Sequence, residues 1–551
     1  MNSGPQELDA ASLRRKQTPE TLGFSSTEEV TPLDGPVGQD RAGEAIAFGL
    51  ESRMAGYNIF ATGPVGVGKR TALEVQLHKH ARDRPSPGDW IYLHNFRDPR
   101  RPTAVALPSG QGDQLVGDMR QFLQDARREL AGAFESDMYS RRQRELTEPI
   151  EREQEEALTE LREQAPSGQI ALELTPTGVM TVPLHGGQPM TPVDFARLPE
   201  PVRNRYQAAI EELGPRIQAF LAGMRGRQRE ARRRLRELEH EVALFAVGHL
   251  IDELKERYAG CDKLTAWLTS VQEDVIENLA QFQPQAAGDA PEASSALAQA
   301  FLGGAERALS RYEVNVLVAH DSGDGAPVVT ETNPTYANLF GRIEHQGMLG
   351  GGFVTDHRML RPGAVHRANG GYLLLPAAEV LAQPLVWLKL KEVLRTRQIR
   401  LENLAEQYAL FPTATLTPEP IELDLKVVLV GSPLLYELAY GLDEDVRKLF
   451  RVKAEFDWRV AWDEAGGSGY AAFLSSQIRS AGLLHFDAGA VARVIEHGAR
   501  LAESRKWLST QFVEIAGLAA EASHWAARES SELVAPSMSS ARSSRRPDAR
   551  T

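Results

Sequence analysis

Gly63-Pro64-Val65-Gly66-Val67-Gly68-Lys69 constrains this chain more than any other stretch. It follows an apolar run, Tyr57-Asn58-Ile59-Phe60-Ala61-Thr62, that reads as a short buried strand. It precedes a helix-compatible segment from Thr71. Strand, glycine-rich loop, lysine and helix make a phosphate cradle: backbone N–H groups curl around a polyphosphate, the helix start adds partial positive charge, and the lysine reaches the outer phosphates. The expected ligand is ATP, bound by Gly63, Pro64, Gly66, Gly68, Lys69, Arg70 and Thr71. The usual pattern puts Ser or Thr directly after the lysine to ligate magnesium, but Arg70 stands there. Either Thr71 takes the Mg2+ role through a small shift of the helix start, or metal coordination is weakened.

A chain of 551 residues exceeds one ordinary domain. Its charge, 62 − 75 = −13, supplies no global basic field for nucleic acid or a membrane surface. The arginines between Arg225 and Arg236 are interleaved with glutamates, as on a solvated helix face. The single cysteine, Cys261, excludes an intrachain disulfide and a thiolate metal cluster. There is no signal-peptide core and no apolar run long enough to span a bilayer, so the expected location is cytoplasmic.

Texture divides the chain. Residues 1–30 are polar and aperiodic and read as a flexible leader, and residues 31–113 as a compact α/β unit. From Leu115, Met119, Phe122, Ala126 and Leu130 onward apolar residues recur at helical steps, and the pattern returns from Val202 to Leu254. Between them Ile170–Leu174 and Val179–Leu184 read as a hairpin, so residues 114–283 are expected to form a helical, partly coiled-coil arm with a small β tip. Residues 284–300 read as a linker. Four apolar runs, at 314–318, 327–330, 371–375 and 426–430, then suit a buried sheet within residues 301–465. Residues 466–534 read as a helical lid and 535–551 as a disordered tail.

Two long motifs carry a resemblance. Glu331-Thr332-Asn333-Pro334-Thr335-Tyr336-Ala337-Asn338-Leu339-Phe340-Gly341-Arg342-Ile343-Glu344 and His366-Arg367-Ala368-Asn369-Gly370-Gly371-Tyr372-Leu373-Leu374-Leu375 resemble segments of the LonB-like branch of Lon-type ATP-dependent proteases. The resemblance runs over roughly residues 30–530. It implies an α/β AAA+ P-loop core split by a helical insertion and followed by a lid, assembled as a homo-oligomeric ring that handles unfolded or tagged proteins.

Two departures qualify it. The strand ending at Leu375 should run into Asp-Glu, for magnesium and for the attacking water, but Pro376-Ala377 follows and Glu379 is the nearest carboxylate. No serine peptidase segment occurs either, so peptidase activity is expected only from a separate component. By the same resemblance Arg447, with Arg451 as competitor, is expected as an arginine finger, Arg500 as the lid's nucleotide sensor, and Gly431-Ser432 as the γ-phosphate sensor. His345, His357 and His366 read as loop or capping residues, and the apolar glycine loop Met348–Phe353 as a polypeptide grip by analogy with unfoldases. The alternative to an ATP-driven module is a catalytically weak, nucleotide-gated oligomeric scaffold. A nucleic-acid motor is disfavoured by the acidic balance.

Overall fold

The computed structural model describes residues 15–539, apart from 34, 36, 53, 164, 166–168, 176–177, 186, 283–308, 348–352 and 403–415. The expected linker and all but Phe353 of the glycine loop at 348–353 lie outside the described residues. The chain divides into two units, Met1–Val116 with Val314–Thr551, and Gly117–Glu313.

The first unit is built on five parallel strands: β1 (Ile59–Thr62), β2 (Val328–Thr330), β3 (Tyr372–Pro376), β4 (Lys426–Gly431) and β5 (Val452–Glu455). Their order across the sheet is 5-1-4-3-2. Parallel strands covered on both faces need near-continuous apolar sequence, and each of the four apolar runs read from the sequence contributes here or to the adjoining sheet. β1 is buried throughout and lies between β4 and β5, with Ile59 beside Val428 and Val452 and Thr62 beside Gly431 and Glu455. Alternation splits the side chains between two cores. Ile59, Ala61, Tyr372, Leu374 and Val428 pack with Ile46 of the helix α1 (Asp40–Glu51) and with Leu73 and Leu77 of the helix α2 (Lys69–Arg82). Phe60, Leu373, Leu375, Val427 and Leu429 pack on the other face with Trp387, Leu390 and Val393. A three-stranded antiparallel sheet of Thr103–Leu107, Asp89–Leu93 and Asn315–Val318 belongs to the same unit.

The helices α3 (Glu464–Ala481), α4 (Ala488–Leu501) and α5 (Phe512–Arg528) form the lid around Tyr470, Leu474, Val491, Ile495, Ile515 and Ala519. Their amino ends are capped by sequence: Asp463 accepts from Gly466 N–H, and Asp487 from Ala490 N–H.

Two expectations are corrected here. Residues 15–30 of the supposed flexible leader are laid against the lid. Arg15 stacks 4.4 Å above the Trp462 ring, Gln17 N–H donates to Glu496 at 3.1 Å, and the Thr27 hydroxyl accepts from Phe486 N–H at 3.0 Å. Leu22, Phe24 and Val30 pack onto the lid core at irregular spacing, which is why no period betrayed them. The supposed tail starts too early, since Pro536–Ser539 form a short helix.

His366 sits in the buried turn Ala364–Arg367, where its Nδ1 accepts from Gly363 N–H at 3.2 Å. It is therefore the expected capping histidine. Burial, with Arg367 nearby, pushes its pKa from 6.5 to about 3. The neutral form is favoured in the fold, so its stabilisation is full above the unfolded value near 6.5 and is lost as pH falls toward 3. Wild type is expected to lose about 1.4 kcal/mol per pH unit more than His366→Gln across that window, checked by denaturation at several pH values.

The second unit contains the helix Glu200–Arg257, whose 58 residues run roughly 87 Å. It runs beside Asp137–Glu163, with Arg227 of the long helix 3.7 Å from Glu153 and Arg142 3.6 Å from Glu241. An antiparallel hairpin, Ile170–Thr175 with Gly178–His185, closes over Leu161, Tyr206, Leu213 and Ile217.

Candidate functional site

Open parallel sheets place ligands beyond the carboxyl ends of their strands, and the loop after β1 occupies that edge. Gly66 and Gly68 have φ of 86° and 76°, left-handed values that side-chain-bearing residues rarely adopt, so glycine is required at both turns. Lys69 begins α2 and bends back over the loop, its Nζ donating to Gly63 O at 2.7 Å and Pro64 O at 2.6 Å. Burial pushes its pKa down. A half-buried ammonium held only by carbonyls gains most from an incoming anion.

Beside this loop lies a cavity of about 300 Å³. Gly66, Gly68 and Thr71 form one side, Val37, Val67 and Val75 extend it, and Phe473, Phe512 and Val513 of the lid close it. The lid touches the loop directly, Val513 N–H donating to Gly66 O at 3.3 Å. Gln39 fixes the Val37 wall, exchanging hydrogen bonds of 2.9 and 2.8 Å with the Asp457 backbone just beyond β5. A phosphate-sized loop opening onto an apolar slot suits a nucleotide, phosphates on the loop and base in the slot. A larger cavity, about 610 Å³, lies at the opposite edge of the sheet beside Lys426. Burial lowers that lysine's pKa to about 8, and Ser52 O and Tyr57 O accept from it at 2.7 and 2.9 Å. No glycine loop lines it.

The sequence candidates are not all gathered at one place. Gly63, Pro64, Gly66, Gly68, Lys69 and Thr71 come together at the loop, and Arg70 follows on α2. β3 ends in Pro376, beside Val430, and buried Ala377 follows. Glu379 is exposed in the short helix Ala377–Leu381 and does not line the cavity. Arg447 precedes β5, at the edge of the sheet opposite Lys69, where its Nε donates to Tyr440 O at 3.0 Å. Arg500 ends α4 exposed and is absent from the cavity wall. Ser432 caps the helix Pro433–Leu442, accepting from Leu435 N–H at 3.2 Å. Sequence reading missed Phe473, Phe512 and Val513, because an apolar residue on a lid helix looks alike whether it faces a core or a ligand. Among the described residues no cluster of His, Cys, Asp and Glu could hold a metal ion.

Residues 324–457 match the LonB-like AAA domain, residues 485–538 the archaeal LonB AAA+ ATPase lid domain, and residues 89–122 the Lon-like LonC helical domain. These segments of the chain are similar to Lon-like AAA+ domains. The α/β core followed by a helical lid is consistent with an AAA+ core and its lid. A Lon protease homologue of Escherichia coli (strain K12) is 39% identical over 72 residues, 13% of this chain and 12% of that protein. An archaeal Lon protease of Methanothermobacter thermautotrophicus is 28% identical over 106 residues, 18% of this chain and 16% of that protein. The chain thus spans under a fifth of the length of either curated relative in these matches. The solved structure of NtrX from Brucella abortus in complex with ATP is 16% identical, covering 55% of this chain and 73% of its own, at a TM-score of 0.26 that carries no argument. No described helix of the chain is long and apolar enough to cross a membrane.

Proposed function

We propose that this chain binds ATP as the AAA+ module of a Lon-like ATP-dependent protease and handles protein substrates. The observation that carries the reading is the glycine loop with Lys69, opening onto an apolar slot that the lid completes. ATP bound there touches both the sheet and α5, so binding energy favours one arrangement of lid and core. Arg447 lies exposed at the far edge of the sheet, the place from which it would meet the nucleotide of a neighbouring copy in a ring. The long helices of the second unit supply the surface for engaging unfolded protein.

An attacking water needs a carboxylate at the end of β3, and Pro376-Ala377 provide none. Glu379 would have to turn inward from an exposed helix position. This favours the second reading, a scaffold in which nucleotide occupancy alone orders the oligomer. Steady-state ATP turnover by the chain, with an unfolded protein added, separates the two. Stimulated turnover that disappears in Glu379→Gln supports the motor. Saturable ATP binding with no turnover supports the scaffold, and no binding at all contradicts both.

A further inference from the structure

Magnesium in a P-loop site is gripped by the hydroxyl after the lysine and by an aspartate ending a nearby strand. Both positions have changed here. The first is Arg70 and the second is Pro376. Thr71 does not recover the lost hydroxyl. It is one step, about 100°, round α2 from Arg70, and it lines the apolar cavity with Ala72 and Val75. Arg70 lies three residues before Leu73 and seven before Leu77, on the stripe that faces the sheet. Its side chain is more than half exposed at the first turn of α2, linked through Glu74 to Thr330 at the carboxyl end of β2.

The side chain is also aimed. Arg70 Nε donates to Glu74 Oε1 at 3.0 Å, and the same oxygen accepts from the Thr330 hydroxyl, at the end of β2, at 3.3 Å. Glu74 is thus tied to the strand beside β3, and it is used in holding Arg70. An exposed i,i+4 pair alone contributes little and would need no explanation. The tie to Thr330, and the loss of both metal ligands from one site, set this pair apart. Only Nε is engaged by Glu74, which leaves the terminal nitrogens of the fork to meet phosphate oxygens.

We propose that the Arg70 guanidinium, held by Glu74, takes the place of magnesium beside the nucleotide phosphates, so that this chain binds nucleotide without a divalent cation. The proposal rests on the nucleotide reading above and deepens it. Arg70 is a binding residue, and the residues present do not fit the magnesium ion that Thr71 was expected to hold.

The test is calorimetric titration of the full chain with ADP, in excess EDTA and again in excess magnesium chloride, for wild type, Arg70→Ala and Lys69→Ala. Wild-type affinity is expected to agree within about twofold between the two conditions, and Arg70→Ala to weaken binding in EDTA by about tenfold, the worth of one charge-assisted contact. Arg70 is more than half exposed, so its removal leaves packing intact. A wild-type affinity that collapses about tenfold or more in EDTA overturns the proposal while leaving the nucleotide reading in place. Unchanged affinity of Arg70→Ala in EDTA overturns it too. Absence of wild-type binding in both conditions overturns the nucleotide reading along with it.

Discussion

Lys69→Ala is expected to weaken ATP binding roughly 100-fold, the upper range for losing hydrogen bonds to a charged partner. In the free protein the ammonium rests on two carbonyls, which leaves a positive charge part-buried with no counter-charge, as its lowered pKa records. Phosphate supplies that counter-charge. Alanine forfeits it and leaves Gly63 O and Pro64 O to water, a modest cost at a half-exposed loop. The fold is expected to survive, since the hydrophobic anchors of α2 are Leu73 and Leu77, both fully buried. Circular dichroism and a titration with fluorescent ATP check both halves together.

Phe512→Ala is expected to cost about 3–5 kcal/mol of lid stability, the usual range for emptying a buried aromatic site. The ring lies 4.4 Å from Phe473 and 5.7 Å from Tyr470 between centroids, and it also walls the slot beside the P-loop. Its loss therefore opens a cavity in the lid and removes the surface on which the base would rest. Phe512→Leu keeps most of the volume and is expected to retain the fold while still weakening nucleotide binding. Denaturant unfolding of the full chain reads the first effect and ATP titration the second. Phe512→Ala that unfolds like wild type would mean the lid is held elsewhere.

What could be read from the sequence was whatever one local rule dictates. Gly66 and Gly68 are demanded by backbone angles, and the strands are buried on both faces, so loop and strands alike stood out in the chain. Strand order was not legible. β1 and β2 are neighbours in the numbering of the core but are separated in sequence by the whole second unit, and no pairwise pattern records which strand lies between them. The segment from Arg15 to Val30 was misread because a strap laid on the lid buries apolar residues without a period. Arg500 was legible only as a residue of the lid. A short motif located it on a helix, but not at which end of the lid that helix would present it. The walls of the slot come from three places far apart in sequence, Val37, Phe473 and Phe512, and only folding joins them.

Hydrogen exchange of the full chain with and without ATP tests the central claim most directly, because it reports where the ligand settles without requiring turnover. The account predicts slowed exchange in three separated stretches at once: residues 63–71, the segment around Val37, and the lid around Phe473 and Val513. Protection confined to the opposite edge of the sheet around Lys426, or no protection in any of the three, would contradict it.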